Sequence, residues 1–274
     1  MEIPVPDRFV SQIHLLDECN LKCRHCYVGD LKYEPRPKPS SKELTSRVEL
    51  VCDFVKSLGF NDHVVNISGG EPTLHEGLTE VIECIVENDA KPLLITNACF
   101  MDEQKLGEIR DAGCKLINVS LEGPLEVNDE IRGPGTYEKA LDTIKIAKDL
   151  GFRVVSGVTI SRANIDSFPE FMREVDGVLD HVQAGEVHAI GEGEYLKPIS
   201  KSQRKKWYEF AKNWRGETTL FLEDPSYCSI SWDLVEERAG CGAFICLLCV
   251  DVDAAVYPCR RAPVKMGEVC DLEK

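Results

Sequence analysis

From residue 11 to about residue 190, short apolar runs rich in β-branched residues alternate with longer stretches whose apolar positions recur at helical spacing. That alternation is the signature of βαβ units around a parallel sheet. The runs predict strands over Gln12–Leu16, Val64–Ser68, Leu93–Thr96, Leu116–Leu121, Arg153–Ile160 and His181–His188. Helices are expected over Lys42–Leu58, Leu78–Asn88, Glu103–Ala112, Tyr137–Leu150, Ser167–Val175 and Ser202–Trp214. Gly59, Gly113 and Gly151 fall just past three helix ends, where a left-handed residue commonly closes the last turn. Six βα repeats are too few for a closed eight-stranded barrel. The fold class expected is therefore α/β, a partial (β/α)6 TIM-type barrel open on one side. Past about residue 216 the alternation fades, which divides the chain into a barrel over 1–215 and a small cysteine-rich extension over 216–274.

Composition narrows the class. The 274 residues are 43% hydrophobic and 29% charged, ordinary for a soluble globular chain that buries a substantial core. No apolar run is long enough to span a membrane, and the start, Met1-Glu2-Ile3-Pro4-Val5-Pro6-Asp7-Arg8, lacks the basic and apolar regions of a signal peptide, so the expected location is cytoplasmic. A net charge of −15 repels nucleic-acid backbones and argues against such substrates. Arg204-Lys205-Lys206 reads as a solvated helix face.

Thirteen cysteines without a secretion signal point to metal ligation rather than a disulfide framework. Cys52, Cys84, Cys99 and Cys114 are isolated and read as small buried hydrophobes. Cys19, Cys23 and Cys26 stand together in Cys-x3-Cys-x2-Cys, directly after the first strand. Cysteine thiolates are the usual ligands of iron-sulfur clusters, and a cubane needs four for closed coordination. Three leave one iron open for chemistry, as a catalytic zinc keeps one position open. Two other readings exist: half of a zinc site completed by His14 or His25, and a closed electron-transfer cluster with a distant fourth thiolate.

The cysteine loop, with His25 before the third cysteine and Tyr27 after it, resembles the cluster loop of radical S-adenosylmethionine (SAM) enzymes. Gly69-Gly70-Glu71-Pro72, ending the second strand, matches that family's GGEP motif. The resemblance implies a [4Fe-4S] cluster whose open iron is chelated by SAM, and one-electron cleavage of SAM to a 5′-deoxyadenosyl radical that takes a hydrogen atom from substrate. In the GGEP turn, glycines allow close backbone approach, proline stiffens the chain, and Glu71 offers an acceptor for the SAM ammonium. His25 would stack near adenine, with Tyr27 beside it. Thr96-Asn97-Ala98 stands where the family often has Thr-Asn-Gly, leaving the Asn97 side chain available to the cofactor. Ser120-Leu121-Glu122-Gly123, Asn128-Asp129 and Arg132-Gly133 resemble a Ser-Leu-Asp-Gly…His-Asp…Arg-Gly stretch. Ser120 would contact the SAM ribose, and Arg132 would lie near the SAM carboxylate or steady its loop; the competing reading of Arg132 is a surface arginine. A backbone contact to adenine is expected from the end of the fifth strand, at Thr159 and Ile160.

The C-terminal segment looks like the opening of a SPASM or twitch extension, in which cysteines around a β-hairpin hold auxiliary clusters. Cys241 and Cys259 are the strongest auxiliary ligands by that resemblance. Cys246 and Cys249, a Cys-x2-Cys pair, read as two buried thiols, as additional ligands or as a small zinc site, with Cys228 and Cys270 as supplementary candidates. Ala254 replaces the usual hairpin glycine, so the turn is expected to be made differently. The extension is abbreviated or truncated, and the ten or so residues before the first strand leave no room for a leader-binding domain. The function implied is radical SAM modification of a peptide or protein, supplied with electrons by a flavodoxin- or ferredoxin-like reductant. The alternatives are haem, tetrapyrrole or pterin-type cofactor synthesis by the same chemistry, with Arg260 and Arg261 holding substrate carboxylates or phosphates, a non-catalytic iron-sulfur electron carrier, and a zinc-binding interaction protein.

Overall fold

The computed structural model describes residues 7–26, 36–188, 190–222, 243, 245–262 and 264–273. Strands β1 (Arg8–His14), β2 (Asp62–Ser68), β3 (Lys91–Thr96), β4 (Leu116–Val119), β5 (Arg153–Ile160) and β6 (His181–Glu186) run parallel, in chain order. Helices α1 (Ser41–Ser57), α2 (Leu78–Glu87), α3 (Glu103–Asp111), α4 (Leu125–Arg132), α5 (Thr136–Asp149) and α6 (Phe168–Glu174) fill the crossovers, and α7 (Lys201–Asn213) follows β6. The expected α/β pattern is present. Gly59, Gly113 and Gly151 have φ of +85°, +106° and +82°, as helix-closing residues should.

Alternation along the strands separates two faces. Ile13, Val65, Ile67, Leu94, Ile117, Val119, Val154 and Val182 pack into one apolar core with the inner faces of the helices. Polar residues such as Gln12, His14, Ser68 and Asn118 occupy the alternate positions and are buried as well. The sheet is thus apolar towards its helices and polar on its other side.

Two features depart from the expected outline. β1 begins at Arg8 rather than Gln12, because the ladder to β2 runs from Arg8–Asp62 onward and Ser11 bonds the His63 ring at 2.9 Å. Helix α4 is not among the helices expected from periodicity. Its Asn128 side chain accepts from Glu122 N (3.0 Å) and donates to Thr136 (3.0 Å), so the element depends on tertiary bonds invisible to periodicity.

The sheet continues past six strands. β7 (Thr219–Leu222) adds parallel to β6, and β8 (Leu247–Val250) adds parallel to the free edge of β1. β9 (Ala255–Tyr257) and β10 (Gly267–Glu268) follow antiparallel, giving the order β10-β9-β8-β1-β2-β3-β4-β5-β6-β7. A final 3-10 turn, Val269–Glu273, packs on α1. β8 and β9 form the hairpin expected of the extension. Its turn is not made differently: Ala254 keeps the left-handed conformation at φ +66°. Ala98 does the same at φ +62°. Arg204 is not simply solvated either, since it pairs bidentately with Glu186 on β6, whereas Lys205 is exposed. Among the described residues no helix is long and apolar enough to cross a membrane.

Candidate active site

The cysteine loop leaves the C-terminal end of β1 and is pinned from several directions. Gly70 N donates to Leu16 O at 2.6 Å, and Glu71 N to Glu18 O at 2.9 Å. A methyl group on Gly70 would stand 2.0 Å from Glu18 O and 2.6 Å from Asp17 O; one on Gly69 would stand 2.5 Å from Leu16 O. The two glycines are therefore required for the cysteine loop's backbone to lie against the turn. From the other sides, Arg24 N donates to Ile131 O at the end of α4 (3.0 Å), and Glu192 N, after β6, donates to Cys26 O (3.0 Å).

Glu71 is almost wholly buried, and its carboxylate is engaged within the protein. One oxygen accepts from Thr73 N (3.2 Å), Thr73 Oγ1 (2.7 Å) and Thr96 Oγ1 (2.7 Å), and the other from Asn97 N (2.8 Å). It ties the end of β2 to the end of β3. Pro72 opens the 3-10 turn Pro72–Leu74 that follows. Asn97 extends the same system: its amide donates to Asn20 Oδ1 at 2.8 Å and faces Cys19 Sγ at 3.9 Å. Cys99 belongs to this loop rather than to the apolar core that holds Cys52, Cys84 and Cys114.

On the far side, Glu122 is 1% exposed and gathers three groups. Arg132 Nη1 donates to Oε1 at 2.8 Å, His25 Nε2 lies 3.1 Å from the same oxygen, and Thr159 N donates to Oε2 at 2.7 Å. Burial alone would raise the Glu122 pKa; His25 and Arg132 overcome it and hold the carboxyl below its usual range. Arg132 is buried, 8% exposed, so it is not a surface arginine. The Thr159 N–H and carbonyl are both engaged, by Glu122 and by Asn164 Nδ2 at 2.9 Å. His25 Nδ1 is buried with no hydrogen-bond partner among the described residues. Ser120 sits half-buried just past β4. Asn128 and Asp129 build the α4–α5 corner, Asp129 accepting from Gly135 N and from Tyr137 N at 3.0 Å.

The Cys23 thiol is pushed up to about 11 by burial, with Arg132 opposing and the neighbouring Cys26 and Cys19 adding to the rise. A thiol so placed becomes a ligand when a metal's positive charge favours the thiolate. Among the described residues no three His, Cys, Asp or Glu side chains converge on a single ion. Three thiols in one loop, a nearby buried guanidinium and an imidazole nitrogen without a partner among the described residues fit an iron-sulfur cluster with a polar ligand beside it. Tyr27, Cys241 and Cys228 lie outside the described residues. Cys259, past the end of β9, accepts from Arg261 N at 3.4 Å.

Residues 13–175 match the Radical SAM superfamily. The chain belongs to the radical SAM superfamily. Members use a [4Fe-4S] cluster and SAM. Among curated radical SAM relatives, Fe-coproporphyrin III synthase of Methanosarcina barkeri is 29% identical over 55% of this chain and 37% of its own length. The AdoMet-dependent heme synthase of the same organism is 27% identical over 92% of this chain and 76% of its own. For the first two curated relatives the chain spans only 37% and 39% of their length. In fold, SuiB of Streptococcus suis bound to S-adenosylmethionine superposes with a TM-score of 0.75 at 17% identity, covering 97% of this chain and 64% of that one. The partial barrel is thus a radical SAM fold.

The sequence reading missed Asn20, Asn164, Asp17 and Arg36 as site-building residues. Asn20 had a usable signal, its place inside the cysteine motif. Asp17 and Arg36 bond across the cysteine loop, Arg36 also reaches Asp251, and Asn164 reaches Glu122 O from 42 residues away, none of which a local pattern shows.

Proposed function

We propose that this chain cleaves SAM reductively at a [4Fe-4S] cluster held by Cys19, Cys23 and Cys26 and uses the resulting radical on a peptide or protein substrate. The observation that carries this reading is the three-thiol loop locked against the Gly69-Gly70 turn, with Arg132 and a His25 Nδ1 that has no partner among the described residues buried beside it. When bound, the cluster and SAM supply one-electron cleavage of the sulfonium and an organic radical that removes hydrogen from substrate.

The chain's own residues orient these groups. Glu71 holds the Gly69-Gly70 turn in place through Thr73, Thr96 and Asn97, and its second oxygen, which accepts from Asn97 N, together with backbone carbonyls of that turn receives the SAM ammonium. Asn97 and Ser120, at the ends of β3 and β4, are assigned to the nucleoside side of the site. His25 is fixed by Glu122 through Nε2 and presents its ring to adenine. Arg132 places a positive charge near Cys23 and Cys19 and offsets the thiolates. Cys259, with Cys241, is assigned to an auxiliary cluster; a flavodoxin- or ferredoxin-type donor supplies electrons, and the site of action is cytoplasmic.

A second substrate reading, a haem-type tetrapyrrole, is supported by the heme synthase relative that spans 92% of this chain. The peptide reading is supported by the fold shared with SuiB, a structure of which is bound to precursor peptide SuiA. The test is anaerobic reconstitution, dithionite reduction and assay of 5′-deoxyadenosine, with Cys23→Ala as control and an iron porphyrin and candidate peptides as substrates. SAM cleavage lost in Cys23→Ala is the expected result. An intact, reducible cluster with no cleavage would overturn the proposal in favour of an electron carrier.

A further inference from the structure

The cysteine-bearing loop is closed at its base by a set of charges that the chemistry above does not use. Asp17 stands two residues before Cys19, and Arg36 follows the loop on its other side. Arg36 Nε and Nη2 donate to the two Asp17 oxygens at 2.7 and 2.6 Å, and Arg36 N adds a bond to Oδ2 at 3.3 Å. The same guanidinium reaches away from the loop, to the turn after β8. Nη1 donates to Asp251 Oδ2 at 2.7 Å and Nη2 to Oδ1 at 3.1 Å, with Asp253 within 3.8 Å. Asp251 is itself fixed, accepting from His14 Nδ1 at 3.0 Å and Val252 N at 2.8 Å, while Arg47 on α1 donates to Val252 O at 2.9 Å.

We propose that Arg36 is a positioning residue for the cluster, clamping both ends of the cysteine loop through Asp17 and anchoring them to the C-terminal extension through Asp251. The inference rests on the assignment of Cys19, Cys23 and Cys26 as cluster ligands. Guanidinium is suited to this task because its planar fork serves two carboxylates at once, which an ammonium cannot do. Asp17 is 8% exposed, so the clamp works where charge-assisted bonds are weakly screened. Joining the loop's ends removes conformations in which the three thiols are spread apart, and so prepays part of the ordering that ligation requires. Remove the guanidinium, and two carboxylates face each other across the gap. The geometry also ties the extension to the cysteine loop: β8 extends the sheet at β1, and Asp251, just past its end, holds through Arg36 the base of the loop that β1 leads into. Displacement of the extension is thereby transmitted to the cluster ligands.

Two experiments on the full chain test this. In reconstituted protein, iron release to a ferrous chelator is followed with the reduced cluster's electron paramagnetic resonance spectrum, with and without SAM. Arg36→Met and Asp251→Asn are each expected to speed release about tenfold and to split the SAM-bound spectrum into more than one species. The double variant is expected to release iron no faster than Arg36→Met, because both changes break one linkage. Arg36→Lys restores charge but not the double fork and is expected to stay fast. In protein without cluster, hydrogen exchange of amides 15–26 is expected to quicken in Asp251→Asn, although the substitution lies in the extension. Wild-type release rates, spectra and exchange in Asp251→Asn would overturn the proposal, and that near-isosteric variant decides the matter should Arg36→Met fail to fold. A wild-type chain that takes up no cluster would instead defeat the ligand assignment, and the exchange measurement would still judge the clamp.

Discussion

Replacing Glu122 by Gln tests the buried centre with almost no change of shape. The glutamate receives Arg132 and faces His25 on one oxygen, and receives Thr159 N on the other. Glutamine keeps one acceptor and converts the other into an NH2 group. Whichever way the amide turns, a donor meets a donor, either at Thr159 N or at the Arg132–His25 pair, and the Arg132 guanidinium stays buried without a counter-charge. Breaking a buried pair by removing one partner costs about 3–5 kcal/mol, and the surviving acceptor places this case near 3. For a chain of this size that lowers the thermal midpoint by about 6–12 °C. Because the Glu122 pKa is depressed in the folded state, its contribution is present above the unfolded carboxyl value near 4.3 and is lost as pH falls through the lower folded value. The gap between wild type and variant is therefore full at pH 7 and narrows below about pH 4. Thermal unfolding of both proteins without cluster, from pH 7 down to pH 3.5, measures this. A variant within about 2 °C of wild type at pH 7, or a gap that widens on acidification, would refute the view of Glu122 as an ionised hub.

Three further outcomes follow from the structure. Gly70→Ala forces a methyl group into the Glu18 and Asp17 carbonyls and is expected to abolish iron uptake on reconstitution and to cost the apoprotein upwards of about 2 kcal/mol in urea unfolding. Ala254→Gly relieves a left-handed alanine worth about 1–2 kcal/mol against an unfolded-state cost of about 0.4–1, so the urea midpoint should rise; Ala98→Gly also loses a buried methyl worth about 0.8 kcal/mol and should be close to neutral. Cys52 and Cys114, whose thiols burial pushes up to about 12 and about 11, should resist iodoacetamide at pH 8 in the native protein while the exposed Cys270 is alkylated, as mass spectrometry of the digest would show.

The βα alternation, the helix-closing glycines, the cysteine loop after β1 and the GGEP turn after β2 could all be located from sequence, because each is a local pattern: a side-chain period, a backbone angle that favours glycine, a ligand spacing. Those patterns also place the motifs together at the C-terminal ends of the strands. Partners are another matter. A carboxylate's identity says that it accepts hydrogen bonds and not from whom, and only the fold shows that Glu71 also ties Thr73, Thr96 and Asn97 together. Arg132 reads equally as a surface side chain until α4 turns it onto Glu122. The joining of β8 to β1 and the Asp17–Arg36–Asp251 clamp were decided by tertiary structure alone. They link residues more than two hundred positions apart, and proximity over such distances arises only when the sheet assembles and burial fixes which charges meet.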